Sequence, residues 1–190
     1  MKNIHDPMSI EDIELLLQKA AEITNHRNFV IVGSLSGLGS LIRPPDEMVM
    51  SRDVDFYTKN DPGRVFSEVA DQLSENSEFG VMHGFYGDPV SPNVLSAPEG
   101  WNSRLVPITF KGGIVGWFMD ANDAACAKLI RGEENDKRWV KAGIEAGAIS
   151  EPIIRARMKT CENVLDGEVE QALACLDEIL EGRSSRPPRP

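Results

Sequence analysis

The sequence predicts an α+β fold, with strands concentrated in the first two thirds of the chain and helices in the last third. Three observations carry that expectation. Short β-branched runs bounded by Gly and Pro extend to residue 118, four segments of helical apolar spacing fill 121–181, and the stretch after Tyr57 reads as a crossover helix between strands. With 190 residues, 41% hydrophobic and 26% charged, the chain is long enough to enclose a core and has the composition of a folded domain. The expected organisation is a core with an N-terminal helix over 1–119, a helical part packed on it over 120–182, and a flexible basic tail over 183–190.

Element by element, Ser9-x-x-Asp12 opens a first helix to about Thr24, with Ile10, Ile13, Leu16, Leu17, Ala20 and Ile23 on one stripe. Asn28–Val32 is a buried strand ending at Gly33-Ser34, where a turn enters a short helix. Pro44-Pro45 halts any continuation, and the polar stretch to Ser51 is expected to be a loop. Asp53–Tyr57 is the next strand, and its alternation places Asp53, Asp55 and Tyr57 on one face with Val54 and Phe56 on the other. A helix beginning at Asp61-Pro62 turns Val65, Phe66, Val69, Ala70 and Leu73 inward. Val81-Met82, Val94-Leu95, Leu105–Ile108 and Ile114–Phe118 read as short strands that extend the sheet antiparallel. Helices are then expected over 121–131, 135–147, 151–164 and 167–181.

Twenty Lys and Arg against thirty Asp and Glu leave a net charge of −10, which disfavours unspecific coating of nucleic acid. Three cysteines, Cys126, Cys161 and Cys175, are too few and too scattered for a disulfide framework or a zinc knuckle, and fit a reducing cytoplasm. Acids interrupt the apolar N-terminal stretch, and nowhere do eighteen apolar residues run together, so neither a signal peptide nor a membrane association is expected. Walker and Rossmann patterns are missing, since Ile42 stands where the last Gly of G-x-G-x-x-G should be.

The chemistry concentrates at two places on predicted strands. Asp53 and Asp55 point the same way, roughly 6.5–7 Å apart along the backbone, and can share divalent cations. Gly33 admits a ligand close to the backbone, and Ser34 with the following amides can hold phosphate oxygens. Each motif alone is common, as a D-x-D arises easily among thirty acids and Gly-Ser is ordinary turn chemistry. Their order, each on its own strand, favours a site.

FVIVGS (29–34) and SRDVDFY (51–57) resemble the hallmark of the nucleotidyltransferase fold of the polymerase-beta type, a mixed sheet flanked by helices with a helical C-terminal part. A second block, Asp120 to Asp136, is similar to AbiEii-type bacterial toxins, with Asp123, Lys128, Arg131 and Asp136 matching their pattern in order; Pro98–Trp101 with Arg104-Leu105 resembles a further segment of that subfamily. The resemblance implies metal ligation by Asp53 and Asp55 with two Mg²⁺ ions, and nucleotide binding by Gly33, Ser34, Lys128, Arg131 and Asp123. It implies transfer of a nucleoside monophosphate from an NTP such as ATP to a hydroxyl on tRNA or protein, in a toxin or phage-defence setting with an operon-encoded partner. The spacing from Gly-Ser to the first Asp is longer than usual, so the Pro44-Pro45 segment looks inserted beside the site. No third strand carboxylate stands out, and Asp120 and Asp136 compete as general base.

On a helix, Lys128 and Arg131 share a face and could neutralise a leaving pyrophosphate; they could equally pair with Glu133 or Glu134 on a solvated surface. Asp123 and Asp136 also read as first-turn acids favoured by a helix dipole. A module that binds nucleotide without turnover, or a metal-dependent phosphohydrolase using the same aspartates, remains an alternative to transfer.

Overall fold

A computed structural model describes residues 6–61 and 66–184. Five strands form one mixed sheet in the order β3-β2-β1-β5-β4. These are β1 (Asn28–Ile31), β2 (Asp53–Thr58), β3 (Tyr86–Pro89), β4 (Val106–Thr109) and β5 (Val115–Phe118). β1 runs antiparallel to β2 and parallel to β5, β2 is parallel to β3, and β4 closes the far edge antiparallel to β5.

Helix α1 (Ile10–Thr24) begins at the expected capping box, where the Ser9 hydroxyl accepts the Asp12 amide and Asp12 accepts the Ser9 amide. Its Ile13, Leu16, Leu17 and Ala20 are buried. Phe29 pairs in register with Thr58 and Ile31 with Phe56, so Phe29, Ile31, Val54 and Phe56 share the sheet face that meets Leu16 and Leu73. Each such side chain taken wholly from water contributes about 1.5–3 kcal/mol. The opposite face of β2 carries Asp53, Asp55 and Tyr57.

After β1 the chain makes a turn of 3₁₀ helix (Ser34–Ser36), then α2 (Gly37–Ser40). Gly39 lies so close to β5 that a Cβ there would stand 2.1 Å from Phe118 Cβ. The stretch expected as a loop contains a short helix, α3 (Asp46–Val49), because Met48 and Val49 bury themselves completely or nearly so. The connection from β2 to β3 carries α4 (Phe66–Leu73) and α5 (Glu78–His83) and is the parallel crossover. Val81-Met82, expected as strand, belongs to α5; both side chains are exposed, and the Ser77 cap accepting the Gly80 amide decides the conformation. Val94-Leu95 is likewise not strand, with Val94 in a 3₁₀ turn (Pro92–Val94). Pro62, Val65, the side chain of Phe66 and residues 185–190 lie outside the described residues.

Past β5, four helices follow: α6 (Ala121–Arg131), α7 (Glu134–Glu145), α8 (Glu151–Met158) and α9 (Glu168–Ser184). α6 packs on α7, α8 and α9 and reaches α2 and the Ser34–Ser36 turn. α8 was expected to continue to Val164 but ends at Met158. There the chain is drawn into backbone bonds with an outer segment, Glu99 N–H to Thr160 O at 2.8 Å and Glu162 N–H to Ala97 O at 3.0 Å, and helical bonding cannot coexist with them.

Candidate active site

The site is built first around Gly33. Val32 N–H donates to Asp55 O at 2.9 Å, which carries the β1–β2 ladder one residue past the strand and brings the bend against Asp55. Gly33 has φ +67°, and a Cβ on it would stand 1.9 Å from Asp55 Oδ2. Only glycine meets both the dihedral and the space. The bend is then braced on three sides. Ser36 Oγ donates to Gly33 O at 2.8 Å, Trp139 Nε1 on α7 donates to Ser34 O at 3.1 Å and to Met48 O at 3.0 Å, and Lys128 Nζ on α6 donates to Ser34 Oγ at 3.0 Å. The segment after Pro44-Pro45 thus lies beside Ser34, tied to it through one indole.

The carboxylates come second. Asp53 and Asp55 share a face of β2, and the parallel register aligns Asp88 of β3 with Asp55. Asp88 is the third strand carboxylate that the sequence did not reveal. The run Gly87-Asp88-Pro89 has poor strand propensity, and only its pairing with β2 makes it a strand. Burial, then the neighbouring Asp53 and Asp88 charges, push the Asp55 carboxyl up to about 7 against the opposing pull of Arg131 and Lys128. Burial and Asp53 also raise Asp88 above the usual carboxylate range. Ser51 Oγ donates to Asp53.

Among the described residues, no group of three or more Asp, Glu, His or Cys side chains is arranged to hold a metal ion by itself. The donor chemistry of the pair does fit a hard divalent cation: oxygen ligands of like charge, repelling one another, with room for phosphate oxygens and water to complete the shell.

The cationic wall comes third. Lys128, 5% exposed, donates to Asp136 Oδ1 at 2.9 Å, and Arg131 grips the same carboxylate with Nε on Oδ2 and Nη2 on Oδ1, both at 2.6 Å. These bonds outweigh burial and hold the Asp136 carboxyl below the usual range. Asp136 is 1% exposed while the Arg131 side chain is 57% exposed, so the carboxylate is hidden and the guanidinium faces outward.

Gly33, Asp55, Lys128 and Arg131 together line a cavity of about 530 Å³, within the ordinary size of a small-molecule site. A smaller hollow of about 320 Å³ adjoins it, lined by Ser34, Lys128, Asn135, Arg138 and Trp139 among others. Lys128 faces both.

Asp120 and Asp123 are placed elsewhere and line neither hollow. Asp120 caps α6 by accepting Asn122 N–H at 3.0 Å and pairs with Arg157 Nη1 at 2.5 Å. Asp123, fully buried, accepts Arg104 Nε at 2.8 Å and Nη2 at 3.1 Å, and Arg157 Nη1 at 3.0 Å. The Arg104 segment, which carried no assignable chemistry in the sequence, is therefore one side of an ion cluster. Arg157 was missed because its partners lie 34 and 37 residues away.

The model of a family described as a nucleotidyltransferase of unknown function (DUF6036) matches residues 9–176, and the chain belongs to that family. No curated protein and no solved structure matches the chain. Among the described residues no helix is long and apolar enough to cross a membrane.

Proposed function

From membership of that nucleotidyltransferase family, we propose that the protein moves a nucleoside monophosphate from an NTP to an acceptor hydroxyl, dependent on magnesium and releasing pyrophosphate. One observation carries the reading: the bend at Gly33 abuts the carboxylate of Asp55, and the Ser34 side chain is bonded to Lys128. Gly33 and Asp55 then meet Lys128 at one cavity, and Lys128 links it to the hollow that Ser34 lines.

Asp53 and Asp55 are the residues that would hold two Mg²⁺ ions, which supply Lewis acidity toward the phosphoryl oxygens when bound. Gly33 admits the phosphates to the backbone. Ser34 and the Lys128 ammonium bond their oxygens, and Arg131 offsets charge on the departing pyrophosphate. Asp136 is a positioning residue, since both its oxygens are spent on Lys128 and Arg131 and its depressed proton affinity keeps it ionised. It is therefore unsuited to the general-base role expected of it, and Asp120 is tied to Arg157 outside the cavity. Asp88, aligned with Asp55 in the β2–β3 register and without, among the described residues, a cation partner such as Asp120 has, is the carboxylate we assign to take the proton of the incoming hydroxyl. Asp123 supports α6 and leaves nucleotide contact to Lys128 and Arg131.

The acceptor we propose is a tRNA end or a protein hydroxyl, in the AbiEii-type toxin or phage-defence setting that the Asp123–Asp136 pattern suggests, acting in the cytoplasm beside an operon-encoded partner. The test is incubation of the full chain with each α-labelled NTP, magnesium, and whole-cell RNA and protein. The expected result is pyrophosphate release with label entering one macromolecular fraction. Nucleotide binding without release identifies a silent module, and free monophosphate with no labelled macromolecule identifies a phosphohydrolase; either overturns transfer.

A further inference from the structure

The cavity that Gly33, Asp55, Lys128 and Arg131 line is also lined by Ser96, Asn163 and Glu168, from the segment after β3 and the one entering α9. The hydrogen-bonding state of those three side chains is settled by their partners. Asn163 Nδ2 donates to Leu95 O at 3.1 Å, and because a carbonyl can only accept, the amide cannot be turned the other way. The Ser96 hydroxyl spends its hydrogen on Asn163 O at 3.0 Å. Glu168 accepts Leu165 N–H at Oε2, 2.7 Å, and a carboxylate has no donor. Three nearby backbone donors are spent as well: Val90 N–H on Phe56 O, Val94 N–H on Ser91 O and Leu95 N–H on Pro92 O. Ser96 Oγ and the Glu168 carboxylate therefore present only lone pairs to a ligand, while Asn163 presents its Oδ1 lone pairs and one unspent Nδ2 hydrogen.

A nucleotide whose phosphates lie at Gly33 and Lys128 brings its base toward the remaining walls, where Val90, Met119 and Ala127 accept the ring faces. The base edges differ in kind. Adenine, cytosine and guanine each carry an exocyclic amino group, two N–H donors on one nitrogen. Uracil offers a single N–H flanked by two carbonyl oxygens, whose lone pairs would oppose those of the wall. We infer that Ser96 and Glu168 select the nucleoside triphosphate by its base, admitting amino-bearing bases and rejecting uracil. The inference rests on the nucleotidyltransferase reading and adds the substrate class to it. With the wall partly open to water, the discrimination expected is about tenfold or more in affinity.

The test is calorimetric titration of the full chain, in magnesium and without acceptor, with ATP, GTP, CTP, UTP and dATP. The expected result is tight binding of the first three and of dATP, with UTP at least about tenfold weaker. Glu168→Gln keeps an oxygen for Leu165 N–H but adds a donor, so it should bring UTP to within about threefold of ATP at unchanged thermal stability. Ser96→Ala, which removes one lone-pair donor without touching α9, should narrow the same gap if Glu168→Gln fails to fold. Equal affinity for all four ribonucleotides, or a UTP deficit unmoved by either variant, overturns base selection and leaves the nucleotide reading standing. Loss of dATP affinity comparable to that of UTP shows that the wall reads ribose hydroxyls, and also overturns it. Failure of every nucleotide to bind removes the nucleotidyltransferase reading itself, and the inference with it.

Discussion

The two ends of α6 each carry an ion cluster, and the clusters are built to opposite rules. At the N-terminal end, Arg104 and Arg157 meet Asp120 and Asp123, two cations against two carboxylates, with the central Asp123 fully buried. At the C-terminal end, Lys128 and Arg131 converge on the buried Asp136, with Glu133 3.9 Å from Arg131 at the surface, and both cations also line the cavity. Asp55 lines the same cavity, with Asp53 on its own strand face and Asp88 aligned with it on β3. A cluster closed on itself holds elements together, whereas cations and a carboxylate that line one cavity remain available to a ligand. The difference is visible in the carboxyls themselves: Asp136, saturated with donors, is held below the usual range, and Asp55, short of them, is pushed up to about 7.

The largest effect comes from the Asp53 and Asp55 carboxylates. Asp53→Ala/Asp55→Ala should lower nucleotidyl transfer at least about 10³-fold while the protein still melts cooperatively, since removing like charges relieves repulsion. Transfer persisting near the wild-type rate in the double variant would remove these aspartates from the chemistry. Next comes Lys128→Met, expected to cut kcat/KM for the NTP about 10²-fold with little change in stability, because Asp136 keeps Arg131.

Asp123→Ala sharpens the contrast from the other end of the same helix. It leaves Arg104 and Arg157 without their buried partner and should cost about 3 kcal/mol in denaturant unfolding, with activity per folded molecule within about threefold of wild type. Should its specific activity fall as far as that of Lys128→Met, the two clusters would not be separable in function.

The smallest effect is on pH. Because the Asp55 carboxyl is raised in the folded state, its contribution favours folding at low pH and is lost as pH rises through about 7. Without divalent cations, Asp55→Asn should therefore match wild type near pH 4 and melt about 2–4 °C higher near pH 8, as scanning calorimetry can measure. Asp136 runs the other way: its stabilising contribution is present at neutral pH and lost as pH falls through its depressed value.

Much of this was legible in the residues because it is local. The Ser9–Asp12 capping box, the β-branched run ending at Gly33-Ser34, the alternation of Asp53-Val54-Asp55-Phe56 and the helical stripe of 121–131 each depend on spacing within a few residues, and each element stands where its spacing put it. The errors have a common cause. Val81-Met82 is apolar yet faces solvent on α5, and the helix expected to reach Val164 stops at Met158 because residues 97–99 compete for its backbone.

The chain by itself determined the α+β class, the Gly33-Ser34 bend, the Asp pair and the helix bearing Lys128 and Arg131, since propensity, capping and periodicity act over one or two turns of chain. Only the tertiary structure decided that Gly33 touches Asp55, that Asp88 joins them from a strand made by pairing, that Trp139 braces Ser34, and that Asp123 serves Arg104 and Arg157. Those are relations between residues 19 to 105 positions apart, and no local rule reaches so far; packing and charge matching in the folded molecule select the partners.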